Sequence, residues 1–217
     1  KDIEVIVPET RDLEQYKGKK LIAFTFDDGP STETTNLLLD GVKEFDAKVT
    51  FFVIGNRINQ HSEVLKRAYK EGHVIGSHTY NHRNLLLLND YTRLQEIKNT
   101  NDIIENTIGV KPLLLRPPYG NINDDIKKLS NMHIIEWDID TLDWKYKDKD
   151  KIANEIITNA HDGAIVLLHD IYKSSVEGAL QAMAQLKEEG YVFVTILEMA
   201  ELKGITLDYE TSYFYFK

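Results

Sequence analysis

The stretch Leu21-Ile22-Ala23-Phe24-Thr25-Phe26-Asp27-Asp28-Gly29-Pro30 decides the fold. Its apolar, β-prone half fits a buried strand, and it stops at two adjacent acids and a Gly-Pro turn. The same rhythm continues along the chain. Further β-rich runs are expected at residues 48–54, 73–77, 113–116, 133–139, 164–169 and 191–196. Helical periods fall between them, at residues 33–45, 62–71, 91–108, 123–130, 151–160 and 176–189. Gly72, Gly109 and Gly190 stand where such helices end, as glycine often does at a helix C-terminus. Strands alternating with helices imply parallel βαβ units. The expected fold is α/β, a single domain over residues 21–203 with about seven parallel strands and a barrel-like closure. Residues 1–20 read as a polar lead-in, and residues 204–217 as an aromatic-rich tail packed against the body.

A chain of 217 residues is long enough for one domain with a sizeable core. Its net charge of −9 argues against general electrostatic binding of nucleic acid, but not against a neutral glycan. No apolar run reaches the length of a membrane helix. Lys1-Asp2-Ile3-Glu4 is charged, with no apolar stretch after it, so no signal peptide is visible. There is no cysteine. A bound metal must therefore be held by His, Asp or Glu.

Unusual polar residues follow the strands. Asp27 and Asp28 follow the first, His78 and His82 the third, Arg116-Pro117-Pro118-Tyr119-Gly120 the fourth. Asp138, Asp140, Asp143 and Trp144 follow the fifth, and His169-Asp170 the sixth. In parallel barrels the C-terminal strand ends share one face, and that face carries the active site. Five segments therefore converge on one mouth. His78 and His82 have the spacing of a zinc pair on a helical turn. Asp27 or Asp28 can complete two imidazoles and one carboxylate, an open catalytic set. In a regular strand the two acids face opposite ways, so both reach the site only if the chain turns there. One would then bind metal and the other act as general base. Arg116 needs a carboxylate partner. Trp137 and Trp144 are either core or flat faces for a sugar ring. His61, His73, His133 and His161 show no partner pattern and are read as structural.

Thr25-Phe-Asp-Asp-Gly29, His78-Thr-Tyr-Asn-His82, Arg116-Pro-Pro-Tyr-Gly120, Asp140-Thr-Leu-Asp-Trp144 and Leu167-Leu-His169 resemble the five ordered motifs of the polysaccharide deacetylases, the NodB-homology domain of carbohydrate esterase family 4. The resemblance covers roughly residues 20–203 and implies a distorted (β/α) barrel. It implies a metal at Asp28, His78 and His82, normally Zn2+, with Co2+ or another divalent ion able to substitute. It makes Asp27 the general base, oriented by Arg116, and His169 the general acid, with Asp143 rather than Asp140 supporting it. It gives the Tyr119 backbone N–H to the oxyanion, puts Leu167 in the acetyl pocket, and sets Asp143 and Trp144 on one wall. The implied substrate is a polysaccharide with N-acetylglucosamine units, peptidoglycan above all, and the implied protein is a monomer outside the cell or at its wall. Chitin deacetylases and acetylxylan esterases share this core. A small-molecule amide hydrolase and a non-catalytic glycan-binding module are the remaining alternatives.

Overall fold

Each apolar run becomes β-structure in a computed structural model that describes residues 6–217. The strands are β1 (Lys20–Asp27), β2 (Thr50–Val53), β3 (Val74–Ser77), β4 (Leu114–Leu115), β5 (His133–Ile135), β6 (Ile139–Asp140), β7 (Ala164–His169), β8 (Tyr191–Phe193) and β9 (Ser212–Tyr213). All pairings between them are parallel. The order is β6-β7-β1-β2-β3-β4-β5-β9, with β8 beside the start of β1.

Two features extend the expected seven runs to nine strands among the described residues. The run at 133–139 is not one strand. Its first half pairs with β4, its second half with β7, and the two stand near opposite ends of the sheet order. One kinked segment thus curls the sheet into a distorted, partly closed barrel. The chain breaks at residues 136–138 because no straight strand can serve two neighbours that far apart in the order. The C-terminal tail supplies the other addition. β9 pairs with β5, Tyr215 bridges Ala164, and Phe216 is buried.

Alternation along the strands separates two packing layers. Ile22, Phe24, Phe26, Phe51, Val53, Val166 and Leu168 face the helices, including Thr34–Val42, Lys149–Asn159 and Lys173–Glu188. Leu21, Ala23, Phe52, Leu114, Ile135, Ile165 and Phe216 fill the opposite, inner layer. The same parity turns Thr25, Asp27, Arg116, Leu167 and His169 inward, at the C-terminal end of that inner layer.

Candidate active site

At the end of β1, Asp27 is almost wholly buried. Asp28 then takes a left-handed conformation, φ +70°. That single turn breaks strand alternation and lets both acids reach the mouth. The following residue must be small, since a Cβ on Gly29 would lie 2.4 Å from the Asp170 carboxylate. Arg116 is fully buried. Its Nη1 donates to Asp27 Oδ1 at 2.8 Å and to Thr25 Oγ1 at 2.7 Å. Nη2 and Nε donate to the carbonyls of Glu136 and Ile135, and the guanidinium lies over the Phe52 ring. Burial pushes the Asp27 carboxyl above its ordinary range, while Arg116 and His169 pull it back.

Asp28, His78 and His82 bring ligand atoms within 4.8 Å of one another. Asp28 Oδ1 lies 3.5 Å from His78 Nε2 and 3.4 Å from His82 Nε2. Ligand atoms about 2.0–2.2 Å from a tetrahedral zinc would stand about 3.3–3.6 Å apart, so the set fits such a cation. That same Oδ1 is buried and accepts no hydrogen bond, as expected of an atom reserved for a cation. His78 Nδ1 donates to the Arg116 carbonyl at 2.7 Å, which leaves the Nε2 lone pair free. Burial lowers the His78 pKa to about 3, so the ring is neutral, as a ligand must be. The two histidines do not ride on a helical turn. Residues 78–82 form a loop with Thr79 and His82 at φ +66° and +55°, and this irregular path, rather than helical periodicity, brings the imidazoles to 4.9 Å between ring centres.

Across the mouth, His169 Nδ1 donates to Asp143 Oδ1 at 2.7 Å, and the His169 backbone N–H donates to Oδ2 at 2.7 Å. Burial alone would lower the imidazole pKa, but the bond and charge of Asp143 overcome it, and the value rises to about 9. Asp140 is occupied elsewhere, accepting the Leu142 N–H. Asp143 is fully buried behind His169 and does not face the cleft, so of the expected wall pair only Trp144 does. A cavity of about 430 Å³ joins Asp27, Asp28, His78, His82, Tyr119, Trp137, Asp140, Trp144, Leu167 and His169. Trp144 and Tyr119 are 51% and 64% exposed at its rim. Tyr119 sits in a tight turn, Pro118–Gly120, at φ +64°, with its ring edge on His82. Leu167, 5% exposed, is an aliphatic side chain of the cavity lining.

Of the other residues that support the site, Thr25 and Asp170 stand within the stretches singled out in the sequence but carried no role there, and Glu96 had no sequence signal. Thr25 bonds Arg116, Glu96 binds the loop between the two histidines, and Asp170 is buried behind the Asp28 turn with Thr35. Burial lifts the Asp170 pKa to about 7. Of the remaining histidines, His73 accepts the Val49 N–H, His61 accepts the Thr32 N–H, and His133 stacks on Tyr209. His161 has a partner after all: it meets Asp138 at 2.6 Å, and Asp138 also accepts the Ile165 N–H.

Fold and site together form a curled parallel sheet whose mouth sets two carboxylate-centred pairs, Asp27 with Arg116 and Asp143 with His169, beside three side chains that could hold a cation. The chain belongs to the polysaccharide deacetylase family, whose model, described as "Polysaccharide deacetylase", matches residues 14–135. It is 41% identical over 185 residues, 85% of its length, to the peptidoglycan-N-acetylmuramic acid deacetylase PdaC of Bacillus subtilis. It is 38% identical over 210 residues, 97% of its length, to the peptidoglycan-N-acetylglucosamine deacetylase PgdA of Listeria monocytogenes. These relatives are named deacetylases, that is, hydrolases of a carbon–nitrogen bond other than a peptide bond. The chain spans only 40% and 44% of their respective lengths. A solved family 4 acetyl xylan esterase from Clostridium thermocellum, in complex with a cobalt ion, superposes with a TM-score of 0.85 at 29% identity. That match covers 89% of this chain and 98% of the other.

Proposed function

We propose that this chain hydrolyses the N-acetyl group of N-acetylglucosamine residues in peptidoglycan, with a divalent cation at Asp28, His78 and His82. The observation that carries this reading is that Asp27 and His169, each held by a buried partner, Arg116 and Asp143, line one cavity together with the three-ligand set. Zn2+ suits a site of two imidazoles and one carboxylate, and Co2+ can replace it. Bound there, the cation supplies a Lewis acid and lowers the pKa of water towards about 7.

The chain's own residues do the rest. Asp27, held by Arg116, takes a proton from the attacking water as its oxygen bonds to the acetyl carbon. The Tyr119 backbone N–H donates to the oxyanion that develops. His169, kept protonated by Asp143, gives its proton to the departing nitrogen as the C–N bond breaks. Acetate and a free amino sugar result. Leu167 accommodates the acetyl methyl, and Trp144 offers its face to a sugar ring. A peptidoglycan substrate calls for an enzyme outside the cell, at the wall, and the peptidoglycan deacetylases to which the chain is similar support that reading. The similarity to PdaC supports a second reading, in which the deacetylated sugar is N-acetylmuramic acid.

Acetate release by metal-loaded protein should be followed in parallel on peptidoglycan, chitooligosaccharides and acetylxylan. Mass spectrometry of the digested peptidoglycan then shows which sugar carries the free amine. The expected result is release from peptidoglycan with free glucosamine. Activity confined to acetylxylan, or binding without release, would overturn the proposal.

A further inference from the structure

Between the two histidines of the cation site, the chain runs through Thr79, Tyr80 and Asn81 with no regular secondary structure. Such a loop holds its shape only if its peptide groups find fixed partners. On one side it is gripped by the short helix Gly55–Ile58. Gly55 N–H donates to the Thr79 carbonyl at 3.0 Å, and Asn56 N–H to the Tyr80 carbonyl at 3.1 Å. Gly55 has to be glycine for this approach, since a Cβ there would lie 2.6 Å from the Tyr80 ring. On the other side stands one carboxylate. Glu96, 4% exposed on the helix Asp90–Ile108, accepts the N–H of Tyr80 at 3.0 Å and of Asn81 at 2.7 Å through Oε2. Its Oε1 accepts from Asn81 Nδ2 at 2.9 Å. Asn81 Oδ1 in turn accepts from Asn56 Nδ2, tying the two grips together.

We propose that Glu96 is a positioning residue for the cation site, fixing the loop that sets the separation of His78 and His82. This rests on the reading of Asp28, His78 and His82 as metal ligands. Glu96 does not line the cavity, and its carboxylate bonds go to Tyr80 and Asn81. Its buried acceptor atoms hold consecutive N–H groups in the irregular path that carries Thr79 and His82 at positive φ. Without it, two backbone N–H groups and the Asn81 side-chain amide lose their acceptor, and the loop gains conformations in which the imidazoles no longer converge.

The test compares parent, Glu96→Gln, Glu96→Ala and Asp28→Ala. Zn2+ affinity is measured by competition with a chromophoric chelator, and Co2+ loading by visible absorption, with thermal unfolding of each metal-free protein alongside. Glu96→Ala should bind Zn2+ about 10–100-fold more weakly, the range seen for residues behind metal ligands, with an altered Co2+ spectrum. Glu96→Gln keeps one carbonyl oxygen for the loop N–H groups and should fall between it and the parent. A purely structural glutamate would lower the unfolding midpoint and leave Zn2+ affinity unmoved. Affinities of both Glu96 variants within about twofold of the parent would therefore sink the proposal. If Glu96→Ala does not fold, the Zn2+ affinity of Glu96→Gln decides alone, on the same criterion. A parent that takes up no metal, or an Asp28→Ala variant that binds as tightly as the parent, would remove the metal reading itself and the brace with it.

Discussion

Asp27 and Asp28 are neighbours with different surroundings, because the backbone turns left-handed at Asp28. Asp27 faces a buried guanidinium, and Asp28 faces two imidazole Nε2 atoms. Asp27→Asn should keep the metal and lower kcat by at least about 100-fold, the usual contribution of a positioned base. Asp28→Ala should lose the metal. Metal analysis beside kcat checks both, and equal metal loss in the two variants would refute the division of labour. The second prediction concerns His169, whose pKa of about 9 comes from Asp143 working against burial. A raised pKa means the ion pair's stabilisation is fully present below the unfolded value and is lost as pH rises through about 9. Catalysis needs the same protonated state together with ionised Asp27, so kcat/KM should be bell-shaped in pH. Asp143→Asn removes the charge that favours imidazolium, and the alkaline limb should move to lower pH. An unmoved limb in a folded, metal-competent variant would take Asp143 out of this role.

Elements were more legible in the sequence than their closure. β1 and β7 announce themselves as apolar runs because both faces are covered, by helices on one side and by inner-layer residues on the other. The mouth was legible for the same reason, since polar residues stand where these runs stop. The break at 136–138 was not, because it is imposed by two distant strands and leaves no local breaker: Glu136-Trp137-Asp138 contains neither Gly nor Pro. Nor could spacing show that 78–82 is a loop, since its path is set by Glu96, fourteen or more residues away. Packing of the aromatic tail was expected, but its strand was not, two residues being too short a strand to read from pattern. The tail carries a prediction of its own. Phe216 lies among Leu21, Ile165 and Ile135 at the end of the inner layer away from the mouth, and its N–H donates to the Gly163 carbonyl at 2.9 Å. Phe216→Ala should cost about 3–5 kcal/mol, as buried aromatic truncations do. Below the unfolding transition, kcat should hold. Denaturant unfolding with the acetate assay checks both, and a lost kcat in fully folded protein would tie the tail to the site.

At the scale of the whole molecule, the site lies at the end of the inner layer, with half-exposed aromatic side chains at its rim. An exposed Trp144 gains little from folding, so its place there is better explained by a ligand that covers it. The chain's charge of −9 offers no general attraction to a polyanion, so on the proposed reading affinity comes from contacts with the sugars on either side of the residue that loses its acetyl group. Binding at such remote positions raises kcat/KM when it is realised in the transition state. N-acetylglucosamine oligomers should therefore be turned over with kcat/KM rising from monomer to tetramer by about tenfold or more, equivalent to about 1.4 kcal/mol of added transition-state binding. Trp144→Ala should bring that ratio down towards one, because a stacking face is lost while the reacting groups stay in place. A flat response to chain length in the parent protein would indicate a pocket that reads only the amide and its own sugar, and would favour a small-molecule hydrolase over a polymer-directed one.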